Sequence, residues 1–170
     1  MIGTRLSRRF VRDRVQSVSN QRLSSLRELL YREVPLSRHM GVLAEAYDGE
    51  ALTLSAELAP NINIHGTAFG GSMYSLAALC GWSLLRLRLE DLSLDAEIML
   101  GSARIDYRRP VRSQLIARAT CEAEGFEAFA ERIRNGRRAS VEVTVTLGSM
   151  RNKEWQESAV FSGSYATVNH

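Results

Sequence analysis

Between Leu58 and Leu85 the chain carries no Asp, Glu, Lys or Arg. The stretch is long enough to span a membrane, but its first half holds Pro60, Asn61, Asn63, His65 and three glycines. Only Ser72 to Leu85 is both apolar and helical in character, which suits a buried core helix better than a membrane span. The helix is predicted to run from Ser72 to about Leu89, apolar on nearly every side until Arg86 and Arg88. A single helix that is apolar all round must be wrapped by something.

The rest of the pattern supplies the wrapping. Gln21–Glu33 places Leu23, Leu26, Leu29 and Leu30 at helical spacing, and Val34-Pro35 stops that helix. Met40–Tyr47 and Ala51–Leu58 read as strands joined at Asp48-Gly49, a hairpin turn signal. Ala96–Tyr107, Gln114–Glu124, Ser140–Leu147 and Ala159–Val168 read as further strands, with a short helix at Phe126–Arg134. Helices and strands do not alternate regularly, so the class is α+β with a largely antiparallel sheet. A curved sheet closing around the central helix is the natural solution.

Composition bounds the partners. The net charge is +3, but residues 1–40 hold nine Arg against three acids, while 41–170 are slightly acidic. The expected organisation is a basic arm over 1–20 and one domain over 21–170. The acid-poor start reads as a solvated amphipathic arm, with a targeting segment as the other reading. Without aromatic interleaving, no nucleic-acid partner is expected. Cys80 and Cys121 show no paired spacing, and His39, His65 and His170 are isolated, so neither disulfide nor metal is expected. A reducing, cytoplasmic setting follows from the cysteine usage.

The chemistry concentrates in Asn61-Ile-Asn-Ile-His-Gly-Thr-Ala-Phe-Gly-Gly-Ser-Met-Tyr74, a strand–loop–helix junction. Gly70 and Gly71 lie where the helix begins. Backbone N–H groups there lack intrahelical acceptors, the helix dipole is positive, and glycine lets a ligand approach closely. Such donors can stabilise a carbonyl oxygen that gains charge. His65 is the only titratable side chain of the loop, and imidazole suits activation of water. Asn61 and Asn63 could orient that water or simply cap turns.

These residues, and the later Ile105-Asp-Tyr-Arg-Arg-Pro110, resemble the hot-dog-fold thioesterases, in particular the family named after the C-terminal domain of the bacterial protein YiiD. The resemblance covers roughly residues 20–168. It implies a hot-dog fold, a homodimer or dimer of dimers, and an acyl thioester entering between protomers with its carbonyl at the helix start. Coenzyme A or phosphopantetheine would come as part of the substrate, on acyl-CoA or acyl carrier protein, with no separate cofactor. In related chains the domain can follow an acetyltransferase domain; too few residues precede it here, so a stand-alone version is expected.

The chain departs from the commoner acyl-CoA thioesterase pattern. Asn63 keeps its spacing to Phe69-Gly70-Gly71, but Phe69 replaces a His, and the helical Asp position falls on Ala78. No carboxylate lies between Glu57 and Glu90, so a helix carboxylate cannot be the base. The expected catalytic set is therefore Asn63, His65, Gly70 and Gly71. The expected substrate contacts are Asn61, Phe69, Tyr74, Ser102, Arg108 and Arg109. The orientation of Asp106 is left open. Arg104, Arg108, Arg109 and Arg112 form a basic cluster able to meet phosphates or an acidic carrier surface. The expected activity is acyl-thioester hydrolysis in fatty acid metabolism; the rivals are a non-catalytic thioester binder and a hydroxyacyl-thioester dehydratase.

Overall fold

The computed structural model describes residues 20–168. The basic arm expected over 1–20 lies, Asn20 excepted, outside them. Helix α1 covers 20–33 and turns Leu23, Leu26 and Leu30 into the core. It stops at Val34, as Val34-Pro35 requires. Pro35 then starts a second short helix, α2 (Pro35–His39). Proline is well placed at a first helical position, where its missing N–H costs nothing.

Strands β1 (Leu43–Tyr47) and β2 (Ala51–Ala56) form the expected hairpin. Gly49 takes φ 95°, and the Asp48 carboxylate accepts hydrogen bonds from the N–H groups of Glu50 and Ala51. After a loop come α3 (Gly70–Asp91), β3 (Ile98–Tyr107), β4 (Leu115–Thr120), α4 (Ala123–Arg134), β5 (Ser140–Arg151) and β6 (Glu154–Thr167). The six strands form one antiparallel sheet in the order β1-β2-β4-β5-β6-β3. Helix α3 packs on β2 through β6. This is the hot-dog arrangement.

Most element ends shift slightly from the sequence reading, and two regions differ more. The strand expected over Gln114–Glu124 gives way after Thr120, and α4 begins at Ala123, because Phe126, Phe129 and Ala130 bury one helical face. Strands β5 and β6 run on to a turn at Asn152-Lys153, whereas the alternation had stopped at Leu147 and resumed at Ala159. The cause is a bulge: Leu147 pairs with Ala159 but Gly148 pairs with Glu157, which shifts the phase of inward and outward residues. Asn152 and Lys153 both have positive φ, 51° and 68°, the geometry of a tight two-residue hairpin.

The core around α3 includes Met73, Leu76, Ala77, Cys80, Leu84 and Leu85. Cys80 is buried and free as expected, its thiol donating to the carbonyls of Leu52 and Ala117. Burial pushes that thiol up to about 12. One stripe of α3 is not fully covered: Gly71, Ser75, Ala78, Leu79, Trp82 and Arg86, spaced by three and four, remain partly exposed. Tyr165 packs against this helix at Gly81, where any side chain would collide with its ring, and its hydroxyl donates to the Ala78 carbonyl at 2.8 Å. No helix among the described residues is long and apolar enough to cross a membrane.

Candidate active site

The loop into α3 is held by its own polar groups. A 3-10 turn spans Ala59–Asn61. Asn61 is 2% exposed, and its amide donates to the carbonyls of Met40 (2.8 Å) and Glu57 (2.7 Å). Asn61 therefore pins the loop to the end of α2 and lies beneath the surface.

Asn63 closes the next turn. Its Oδ1 accepts from the N–H of His65 at 2.9 Å and of Thr67 at 3.2 Å, and its Nδ2 donates to Thr67 Oγ1 at 3.0 Å. Both ends of the side chain are thus engaged within the turn, the local bonding for which Asn is suited. His65 stands exposed at the tip, beside Ile64, which is 96% exposed.

The strand-like return then leads into the helix. Ala68 N–H donates to the Val111 carbonyl (2.8 Å) and Phe69 N–H to the Asn61 carbonyl (2.7 Å). Phe69 is the residue before α3, with extended backbone and no side-chain cap. Gly70, Gly71 and Ser72 are the first three helical residues, so their N–H groups have no acceptor within the helix. No acidic residue stands in that turn to compete for them.

Both glycines make room for aromatic rings. A Cβ on Gly70 would lie 3.3 Å from the Tyr107 ring, and one on Gly71 would collide with the Phe69 ring. Phe69 is 56% exposed and folds over the helix start. Tyr107 Oη donates to the Gly70 carbonyl at 2.6 Å. Burial, with Tyr74 second, raises the Tyr107 phenol above its ordinary value, which keeps it a donor. The reading of the sequence missed Tyr107, although it lies in the Ile105–Pro110 motif and alternates in step with Ile105.

The remaining expected residues separate. Tyr74 is half-buried, its ring edge-on to Phe161 at 5.3 Å between centroids. Ile105 and Tyr107 face α3, so Asp106 faces the other side of β3, where it pairs with Arg104 at 2.9 Å. Ser102 falls on that outer face too, in phase with Arg104, because a bulge between Leu100 and Ser102 resets the alternation. The basic cluster divides: Arg104 pairs with Asp106 and Arg108 with Glu157, whereas Arg109 and Arg112 line a separate cleft. Among the described residues no group of three or more His, Cys, Asp or Glu could hold a metal ion.

From the glycines the uncovered stripe of α3 leads to an apolar groove. Ala78, Leu79 and Trp82 meet Leu29, Leu30 and Leu100 there, around a volume of about 510 Å³. Trp82 is fixed in its wall, the indole N–H donating to the Ile98 carbonyl at 3.0 Å. Gly71 and Trp82 are eleven residues apart, about 16 Å along the axis. Free amide donors at one end and an apolar trough at the other are chemically suited to a carbonyl compound with a hydrocarbon tail.

Comparison with known proteins gives the fold relatives and the family. A crystal structure of a putative thioesterase from Shewanella oneidensis is 31% identical, with a TM-score of 0.78, and covers 88% of this chain and 99% of its own. A Chlorobaculum tepidum protein of unknown function is 26% identical, with a TM-score of 0.81, over 89% of this chain and 97% of its own. A Haemophilus influenzae thioesterase, 18% identical with a TM-score of 0.67, covers 86% of this chain and 90% of its own and shares the fold. The family model described as "Putative thioesterase (yiiD_Cterm)" matches residues 23–169. With nearly the whole chain matched, and the helix-entry glycines and apolar groove inside the match, this protein belongs to that thioesterase family.

Proposed function

We propose that the protein hydrolyses acyl thioesters of coenzyme A or acyl carrier protein, at a site completed by a second copy of the chain. The observation that carries this reading is the continuity of the Gly70-Gly71 donors with the apolar groove along one stripe of α3. The thioester carbonyl sits at the helix start and the acyl chain runs toward Trp82. Water attacks the carbonyl carbon, and the Gly70 and Gly71 amides hold the oxyanion. His65 accepts the proton of that water. The tetrahedral intermediate then expels the thiolate, which takes the proton back and leaves as the thiol, with the carboxylic acid as the other product. Asn63 is a positioning residue: it fixes the turn that carries His65.

Pairing of two chains is supported by the surface around the site. Strand β3 is a ten-residue sheet edge, and Met99, Tyr107, Ile62, Ile64 and Phe69 are large exposed apolar side chains. A free edge and an apolar surface both call for a partner. His65, exposed in the single chain, then has a second protomer's site to face.

Hydrolysis of a panel of acyl-CoA and acyl-carrier-protein thioesters, followed as thiol release, tests the proposal. Turnover is expected from a dimer, and His65→Ala should lower kcat by at least about a hundredfold. No release at any chain length would sink the hydrolase. An unchanged rate in His65→Ala would remove only the base. The lack of any carboxylate between Glu57 and Glu90 favours one rival, a thioester binder without turnover. Tight acyl-CoA binding in calorimetry with no thiol release would select it.

A further inference from the structure

A second concavity, of about 710 Å³, lies beside the site and plays no part in the hydrolytic scheme. Its walls include Arg109, Arg112, Arg151, Ser113 and Asn152. Arg109 and Arg112 come from the β3–β4 connection, and Arg151 ends β5. They converge because the N–H groups of Arg108 and Arg109 both donate to the Ser158 carbonyl, at 2.8 and 3.0 Å. That double bond to one acceptor lays the connection against β6, next to the Asn152-Lys153 turn.

Among the described residues the arginines of this cleft are not ion-paired, although Glu154 stands opposite Arg151 in the β5–β6 register. Arg104 and Arg108 have carboxylate partners, but among the described residues no ion pair joins Arg109, Arg112 or Arg151 to one. Glu157, a nearby acid, is taken by Arg108. Three guanidinium groups around one hollow, with hydroxyl and amide groups between them, match the oxygens of phosphate esters, which arginine binds through two parallel N–H donors. Concavity favours a small ligand over the flat acidic face of a protein carrier.

The cleft is also tied to the helix start. Tyr107, two residues before Arg109, bonds the Gly70 carbonyl, and Val111, one residue before Arg112, accepts from Ala68. The segment that carries the arginines is thus stitched at two points to the loop that carries the oxyanion donors. We infer that the Arg109–Arg112–Arg151 cleft binds the phosphate groups of the substrate's nucleotide carrier, so that the thioester is presented on coenzyme A. The identity of the ligand rests on the thioester reading of the site; its charge rests on the arginines alone.

Calorimetry on the full chain with coenzyme A, its dephospho form and adenosine 3′,5′-bisphosphate tests this without any turnover. Coenzyme A should bind, more weakly as salt rises, and lose affinity without its ribose phosphate. Arg112→Gln and Arg151→Gln keep most of the side-chain length and should each weaken binding by about tenfold or more. Arg134→Ala, on the far surface of α4, should bind like the parent. Equal affinity in parent and Gln variants, with unchanged circular dichroism, would overturn the cleft. So would arginine-dependent uptake of acyl carrier protein alone. If coenzyme A binds through these arginines and no thioester is cleaved, the cleft stands and the hydrolase falls. If acyl-CoA is cleaved with the same KM in both variants, the hydrolase stands and the cleft falls.

Discussion

The Tyr107 hydroxyl donates to the carbonyl of Gly70 at 2.6 Å, which locks the edge strand β3 to the first residue of the central helix. This bond orients the Gly70–Gly71 peptide, whose N–H is one of the two donors proposed to hold the oxyanion. It joins residues 37 positions apart. Tyr107→Phe removes the donor and keeps the ring. We expect kcat for thioester hydrolysis to fall about tenfold. A half-exposed hydrogen bond contributes about 1 kcal/mol, so the Tm should move by only a few degrees. An unchanged kcat in steady-state kinetics would show that the bond is structural only.

Gly71→Ala should be more damaging to rate than to stability. The new methyl displaces the Phe69 ring from the helix start. We expect kcat to drop at least tenfold, and the double variant Phe69→Ala with Gly71→Ala to recover part of that loss, because the ring that must move is gone. Comparing kcat across this cycle separates crowding from loss of a catalytic amide.

Asn61→Ala should act in the opposite sense. It strips hydrogen bonds from the carbonyls of Met40 and Glu57 at a buried site, a loss of about 2 kcal/mol. Denaturant unfolding would read this as a lower midpoint with an unchanged slope.

The β1–β2 hairpin should weaken in acid. Backbone N–H groups of Ala51, then Glu50, hold the Asp48 carboxyl below its ordinary value. A depressed carboxylate stabilises the fold above its unfolded pKa, and that contribution is lost as pH falls through the folded value. Asp48→Ala should therefore show a smaller loss of stability between neutral and acid pH than the parent, measured by urea titration at each pH.

Filling the groove should change the substrate profile. Ala78→Phe places a ring on the uncovered stripe of α3 between the glycines and Trp82. We expect KM for long acyl chains to rise at least tenfold, with short chains little affected. Equal effects on all lengths would argue that the chain takes another route.

How far the sequence could be read depended on how local each signal was. The charge gap from Leu58 to Leu85 announced a wrapped helix, and Gly70-Gly71 announced its start, because both are set by neighbours in the chain. Asn61 and Asn63 were recognised as special, but their division into a buried pin and a turn closure depends on Met40, Glu57 and Thr67, whose positions follow only from the folded loop. Tyr107 was passed over since its partner lies across the fold. The arginines looked like one cluster along the chain; Asp106 and Glu157 claim two of them, and the bulge at Gly148, which extends β5 and β6, brings in Arg151 from elsewhere. Bulges hid the most: each shifts the two-residue period by one and reverses which side chains face inward.

The bare stripe on α3 has an evolutionary corollary. Ser75 and Ala78 are small residues on a helix otherwise buried in Leu and Met, so larger apolar substitutions there would add packing and raise the melting temperature. A library selected for heat resistance alone should accumulate them, whereas one selected for turnover should purge them. The difference between the two populations at these positions would measure how much stability this fold forgoes to keep the groove open.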